Sequence, residues 1–127
     1  MKILVVEDQP TELKLAVQVL SAAGFEVDEA VAADGALAAI KADPPNIILL
    51  DLSLPGIDGL TLARKLKADP ATRDVLIVAV TSYPERFPIE DALAAGCDAY
   101  LPKPVSTRTL PNTLAAVVEN AEGRRPL

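Results

Sequence analysis

The sequence predicts an α/β fold, a doubly wound sheet of five parallel strands carrying five helices, the fourth of them shortened. Three observations point there. Short apolar runs rich in β-branched residues alternate with helix-patterned stretches from one end of the chain to the other. Two of the runs, Ile47–Leu50 and Leu76–Val80, contain no polar residue, as expected of parallel strands covered on both faces. At 127 residues the chain has length for one compact domain, with no linker, repeat or low-complexity tract.

The elements follow in order. Ile3–Val6 is the first strand, and Pro10 opens a helix that places Leu13, Ala16, Val17 and Leu20 on one face. Ala23-Gly24 ends that helix, and Phe25–Ala30 reads as a half-buried strand. Asp34 is expected to cap a short helix through Ile40, closed off by Pro44-Pro45. Ile47–Leu50 forms the central strand with Asp51 at its C-terminal end; Ser53 to Gly59 is a loop and Leu60–Ala68 a helix. Leu76–Val80 ends at Thr81. Pro84 and Pro88 keep Tyr83 and Phe87 extended or turn-like, so the fourth helix begins near Pro88 and runs about two turns to Ala95. That shortening is expected to leave Phe87 partly exposed beside Tyr100. Ala99–Leu101 is the last strand, and the last helix starts near Leu110 and ends at about Ala121. Residues 1–122 therefore read as the domain and 123–127 as a short tail; the natural ends read as complete.

Composition excludes several classes of function. Half the residues are hydrophobic, enough for a sizeable core. A net charge of −6 offers no basic field for nucleic acid. One cysteine, Cys97, excludes an internal disulfide and fits a reducing compartment, and Cys97 itself reads as a small core residue. No signal peptide or spanning segment is visible, so a soluble cytoplasmic protein is expected, with no membrane partner. The chain has no histidine, which removes Ser-His-Asp and Cys-His nucleophile systems and His-based metal sites. No Gly-rich phosphate loop follows the first strand, against a nucleotide-binding enzyme of similar architecture.

What remains lies at strand C-termini, where open α/β sheets bind ligands. Glu7 and Asp8 follow the first strand, Asp51 ends the third, Thr81 the fourth, and Lys103 follows the fifth. Three carboxylates on one edge repel one another unless a cation neutralises them, and all-oxygen ligands point to Mg²⁺. Lys103 adds a positive charge for an incoming oxyanion and Thr81 a hydroxyl donor. These are the parts of a phosphoryl-transfer site with a carboxylate nucleophile.

In these stretches the sequence resembles the receiver domains of two-component response regulators: Ile3-Leu4-Val5-Val6-Glu7-Asp8, Asp51 to Gly59, Val80-Thr81-Ser82, and Gly96 to Pro104. The resemblance spans essentially the whole chain and looks closest to free-standing members with no output domain, of the CheY and DivK type. It implies a flavodoxin-like strand order, 2-1-3-4-5. It makes Asp51 the phosphoacceptor and Asp8 a direct Mg²⁺ ligand, with Glu7 acting through metal-bound water and the backbone carbonyl of Ser53 completing the set. Lys103 would contact the phosphoryl group, Thr81 would close on it, and Tyr100 would be the switching aromatic. Tyr83 would flank the path of attacking water, and Lys103-Pro104 would be a cis peptide. The implied partners are a sensor histidine kinase or histidine phosphotransferase, a downstream protein, and a second copy through the face of the fourth helix, fifth strand and fifth helix. Such a protein assists its own phosphorylation and dephosphorylation but is a signalling protein rather than an enzyme. Leu54, where the family usually has Met, is a volume-similar exchange. Another reading is a degenerate receiver that binds partners constitutively; the intact Glu7, Asp8, Asp51, Thr81 and Lys103 argue against it.

Overall fold

A computed structural model describes residues 1–124. The strands are β1 (Lys2–Val6), β2 (Glu26–Ala30), β3 (Ile47–Asp51), β4 (Leu76–Thr81) and β5 (Ala99–Pro102). The helices between and after them are α1 (Pro10–Ala22), α2 (Ala33–Ala42), α3 (Gly59–Ala68), α4 (Ile89–Ala94) and α5 (Leu110–Arg124). All pairings are parallel, and the order is β2-β1-β3-β4-β5, as expected.

Alternation along the strands divides the core in two. Leu4, Val6, Ile48, Leu50, Ile77 and Ala79 face α2, α3 and α4, where they meet Ile40, Leu62, Leu66 and Ala92. Ile3, Val5, Ile47, Leu49, Val78 and Val80 face α1 and α5, against Leu13, Leu20, Leu110 and Leu114. Every residue of β3 and β4 is buried, which is why their sequences carry no polar interruption before the strand ends.

Two local devices place the loops of the C-terminal edge. Gly59 lies so close to the chain leaving β3 that an added Cβ would stand 2.7 Å from the Asp51 carbonyl oxygen, and its N–H donates to Leu52 O. The side chain of Asp58 caps α3 by accepting from Thr61 N–H at 2.9 Å. On the opposite side Lys67 reaches the carbonyls of Arg73 and Val75 and the carboxylate of Asp98. Gly96, at φ 99°, leaves room for that lysine stem, since a Cβ there would stand 2.5 Å from Lys67 Cγ.

Several expectations are corrected. Asp34 does not cap α2: the N-cap is Ala32, and Asp34 lies in the first turn, where it complements the helix dipole. α2 runs two residues beyond Ile40, and α5 continues to Arg124, past the expected helix end at about Ala121. Residues 125–127 of the expected tail lie outside the described residues. Phe87 is not partly exposed but buried, at 4%. The turn through Pro84–Arg86 closes with Phe87 N–H donating to Tyr83 O at 2.8 Å, which folds the ring into the core beside Ala92 and Ala95. α4 is short as expected, with Pro88 standing just outside it as N-cap. Cys97 is buried, and burial pushes its thiol up to about 11, in keeping with a packing role.

Candidate functional site

The site forms where β1, β3, β4 and β5 end. Their backbones are tied there: Leu52 N–H donates to Val80 O, and Lys103 N–H to Thr81 O at 2.8 Å. These bonds fix the Cα positions of Asp51, Thr81 and Lys103 to adjoining strands of one edge. Glu7 leaves β1 with its N–H on Ala30 O, and Asp8 follows it before α1 begins.

Glu7, Asp8 and Asp51 each offer a carboxylate oxygen, and the three lie within 4.8 Å of one another. Glu7 and Asp51 are buried at 6% and 4%, and Asp8 is half-buried. Such a set of hard oxygens suits a divalent cation of the Mg²⁺ kind and offers nothing to a thiophilic metal. Among the described residues, Lys103 is the cation that pairs with these acids: its Nζ lies 2.7 Å from Glu7 Oε1 and 3.3 Å from Asp51 Oδ2. A further carboxylate, Glu12 in the first turn of α1, holds the same ammonium at 2.6 Å.

The electrostatics follow from this crowding. Burial, then the neighbouring Asp51, push the Glu7 carboxyl up to about 8, against the pull of Lys103 and the Gln9 N–H. Burial works to lower the pKa of Lys103, but its bonds to Glu12 and Glu7 and the charge of Asp51 outweigh it and raise the pKa. Glu12 is lowered, chiefly by its bond to Lys103.

Asp51 is further oriented by Ser53, whose N–H and hydroxyl both donate to Oδ1, at 3.0 and 3.3 Å. Thr81 is fully buried, and its hydroxyl accepts from the Tyr83 N–H at 2.9 Å. Tyr83 itself is 48% exposed at the rim. Tyr100 sits apart from the carboxylates: half-buried, it donates its hydroxyl to Phe87 O at 2.7 Å. Lys103-Pro104 is cis, as expected. The structure thus brings Glu7, Asp8, Asp51 and Lys103 together, sets Thr81 on the same edge, and joins Tyr100 to the turn before α4. Two features were missed in the sequence reading, Glu12 as a partner of Lys103 and the side chain of Ser53 as a donor to Asp51.

Removing Asp8 should relieve repulsion among these acids. Like charges at such separations cost on the order of 1–4 kcal/mol, so Asp8→Ala is expected to melt higher than wild type without metal and to lose most of the stabilisation that Mg²⁺ gives. Thermal melts with and without Mg²⁺ measure both. A variant that responds to the metal as fully as wild type would remove Asp8 from the ligand set.

Comparison with known proteins agrees with this geometry. A family model described as the response regulator receiver domain matches residues 3–115, and the chain belongs to that family. It is 40% identical over 104 residues to the response regulator PleD of Caulobacter vibrioides, a match covering 82% of this chain and 23% of that protein. It is 29% identical over 119 residues to the polar-differentiation response regulator DivK of Brucella ovis, covering 94% of this chain and 97% of DivK. The chain thus spans less than a quarter of PleD and nearly all of DivK. Among solved structures, a CheY-like receiver domain protein from Methanospirillum hungatei superposes with a TM-score of 0.89 at 31% identity, covering 98% of both chains. No helix among the described residues is long and apolar enough to cross a membrane.

Proposed function

We propose that this chain is the phosphoacceptor switch of a two-component phosphorelay, loaded on Asp51 by a histidine kinase or histidine phosphotransferase. The observation that supports this most is the placement of Lys103 Nζ against both Asp51 and Glu7, beside three convergent carboxylates. A structural ion pair would need one acid; three against one lysine, with Asp8 beside Glu7 and Asp51, form a site suited to cations and a charged substrate.

In this reading an Asp51 oxygen attacks phosphorus in line, the bond from phosphorus to the donor's histidine nitrogen breaks, and an acyl phosphate forms. Asp8 and Asp51, with the Ser53 carbonyl and Glu7 through water, would hold Mg²⁺, which supplies charge neutralisation for the phosphoryl oxygens. Lys103 meets one of those oxygens. Thr81 turns its hydroxyl from the Tyr83 N–H toward another. Ser53 keeps Asp51 aimed through its bonds to Oδ1. The protein thereby assists its own loading and unloading but acts as a signalling module and not as an enzyme with an external substrate.

Movement of Thr81 reaches the output face through the turn that follows it, because Tyr83 accepts the Phe87 N–H and Phe87 O accepts the Tyr100 hydroxyl. Release of that last bond lets Tyr100 change position. The face of α4, β5 and α5 would then engage a downstream protein or a second copy, with Ile89 and Leu93 as exposed apolar contacts at 46% and 52%. A histidine-free, disulfide-free chain with one buried thiol fits the cytoplasm.

The test is incubation with acetyl phosphate or a phosphorylated kinase in Mg²⁺ or EDTA, followed by intact mass. One acid- and base-labile phosphate that requires Mg²⁺ is expected; none under any donor would refute the reading and favour a constitutive binding module. On the loaded protein, Tyr83→Ala should shorten the phosphate lifetime by opening the rim to water. A decay time course equal to or slower than wild type would rule that role out.

A further inference from the structure

The three donors of the Lys103 ammonium meet three carboxylates, Glu12 at 2.6 Å, Glu7 at 2.7 Å and Asp51 at 3.3 Å. No donor is left for a new oxygen. A phosphoryl group arriving on Asp51 has to take one of these contacts. Glu7 and Asp51 are buried and cannot regain water when released, whereas the Glu12 side chain is 50% exposed and rehydrates where it stands. Glu12 is also a fourth negative charge at a site that must accept an anion.

We propose that Glu12 is a positioning residue that holds Lys103 before loading and competes with the incoming phosphoryl group for it, setting how readily Asp51 is loaded. This rests on the phosphoacceptor reading above. The structural alternative for an acid in the first turn of a helix is to complement the helix dipole. That role needs no partner, and the 2.6 Å contact to Lys103, across 91 positions of sequence, is what sets Glu12 apart.

The experiment is equilibrium binding of beryllofluoride to Mg²⁺-saturated protein, followed by ¹⁹F NMR, with Mg²⁺ affinity measured separately on each variant. Glu12→Gln should bind the anion about three- to fivefold tighter, the size of one half-exposed ion pair, while its Mg²⁺ affinity stays level or falls. Opposite signs for anion and cation distinguish competition from a damaged fold, which would weaken both. Glu12→Asp keeps the charge but is one methylene too short for the contact, so it should follow Glu12→Gln. The proposal is overturned if Glu12→Gln binds the anion no better than wild type. It is equally overturned if Glu12→Asp matches wild type while Glu12→Gln gains, since the effect would then be one of field without contact. A wild-type protein that binds no beryllofluoride would instead remove the phosphoacceptor reading, and the role of Glu12 with it.

Discussion

Asp51→Asn protein given acetyl phosphate and Mg²⁺ should remain at its unmodified mass while wild type accumulates one labile phosphate per chain. The substitution is nearly isosteric. An asparagine carbonyl can still accept from the Ser53 N–H and hydroxyl, so the local fold is expected to survive. What disappears is the anionic nucleophile, and incorporation should fall to background, a loss on the order of a thousandfold or more. Asp58 is the natural control, because it stands in the same loop and carries a carboxylate of its own. Its Oδ1 is occupied with the Thr61 N–H at the start of α3, and among the described residues it forms no salt bridge with a lysine. Asp58→Asn should therefore load like wild type, with a stability change within about 1 kcal/mol for an altered cap. Equal incorporation in Asp51→Asn and wild type would displace the nucleophile to another acid.

The contrast between Asp51 and Asp58 shows where sequence reasoning had purchase. Asp51 follows four wholly apolar residues, a pattern expected of a central parallel strand, and such strands deliver their next residue to the ligand-binding edge. The same logic located Glu7, Asp8 and Thr81, which end or directly follow the buried runs of β1 and β4, and Lys103, which directly follows the half-buried β5. Local chemistry was equally legible where proline acted: two prolines in five residues delayed α4 to Ile89.

The misses share a different cause. Glu12 looks like an ordinary acid of a helix's first turn, and its bond to Lys103 depends on how far α1 tilts over the sheet edge, a tertiary quantity that no spacing encodes. Phe87 was expected at the surface because the helix that should cover it is short. The turn before α4 supplies the burial in its place, by a Tyr83–Phe87 backbone bond, and Tyr100 then fastens on the Phe87 carbonyl. Asp34 has a capping side chain two residues too late: the helix begins at Ala33, where tertiary packing of Ala33 and Ala36 against the sheet outweighs the cap preference.

Without metal, the protein should lose stability as pH rises from 5 to 8. The Glu7 carboxyl is raised from its ordinary value to about 8 by burial and by Asp51. A carboxyl raised in the fold favours folding while it is protonated; that contribution is complete below its unfolded value and is lost as pH climbs through the folded one. The loss is on the order of 3 kcal/mol, or roughly 10 °C in Tm for a domain of this size. The window is unusually clean, because the chain has no histidine. Cys97, raised to about 11, contributes only at higher pH. Mg²⁺ should reverse the trend. A cation among Glu7, Asp8 and Asp51 displaces the proton from Glu7, so its apparent affinity should rise with pH, by at most about tenfold per unit, until Glu7 is fully ionised. Calorimetric titrations in two buffers of different ionisation enthalpy would register the released proton at pH 6.5 and little at pH 9. Glu7→Gln should flatten the metal-free melting curve between pH 5 and 8 and abolish the proton release. If wild type already melts at one temperature across that range, or if Glu7→Gln keeps the slope, the proton does not reside on Glu7 and the acids must be balanced by Lys103 alone.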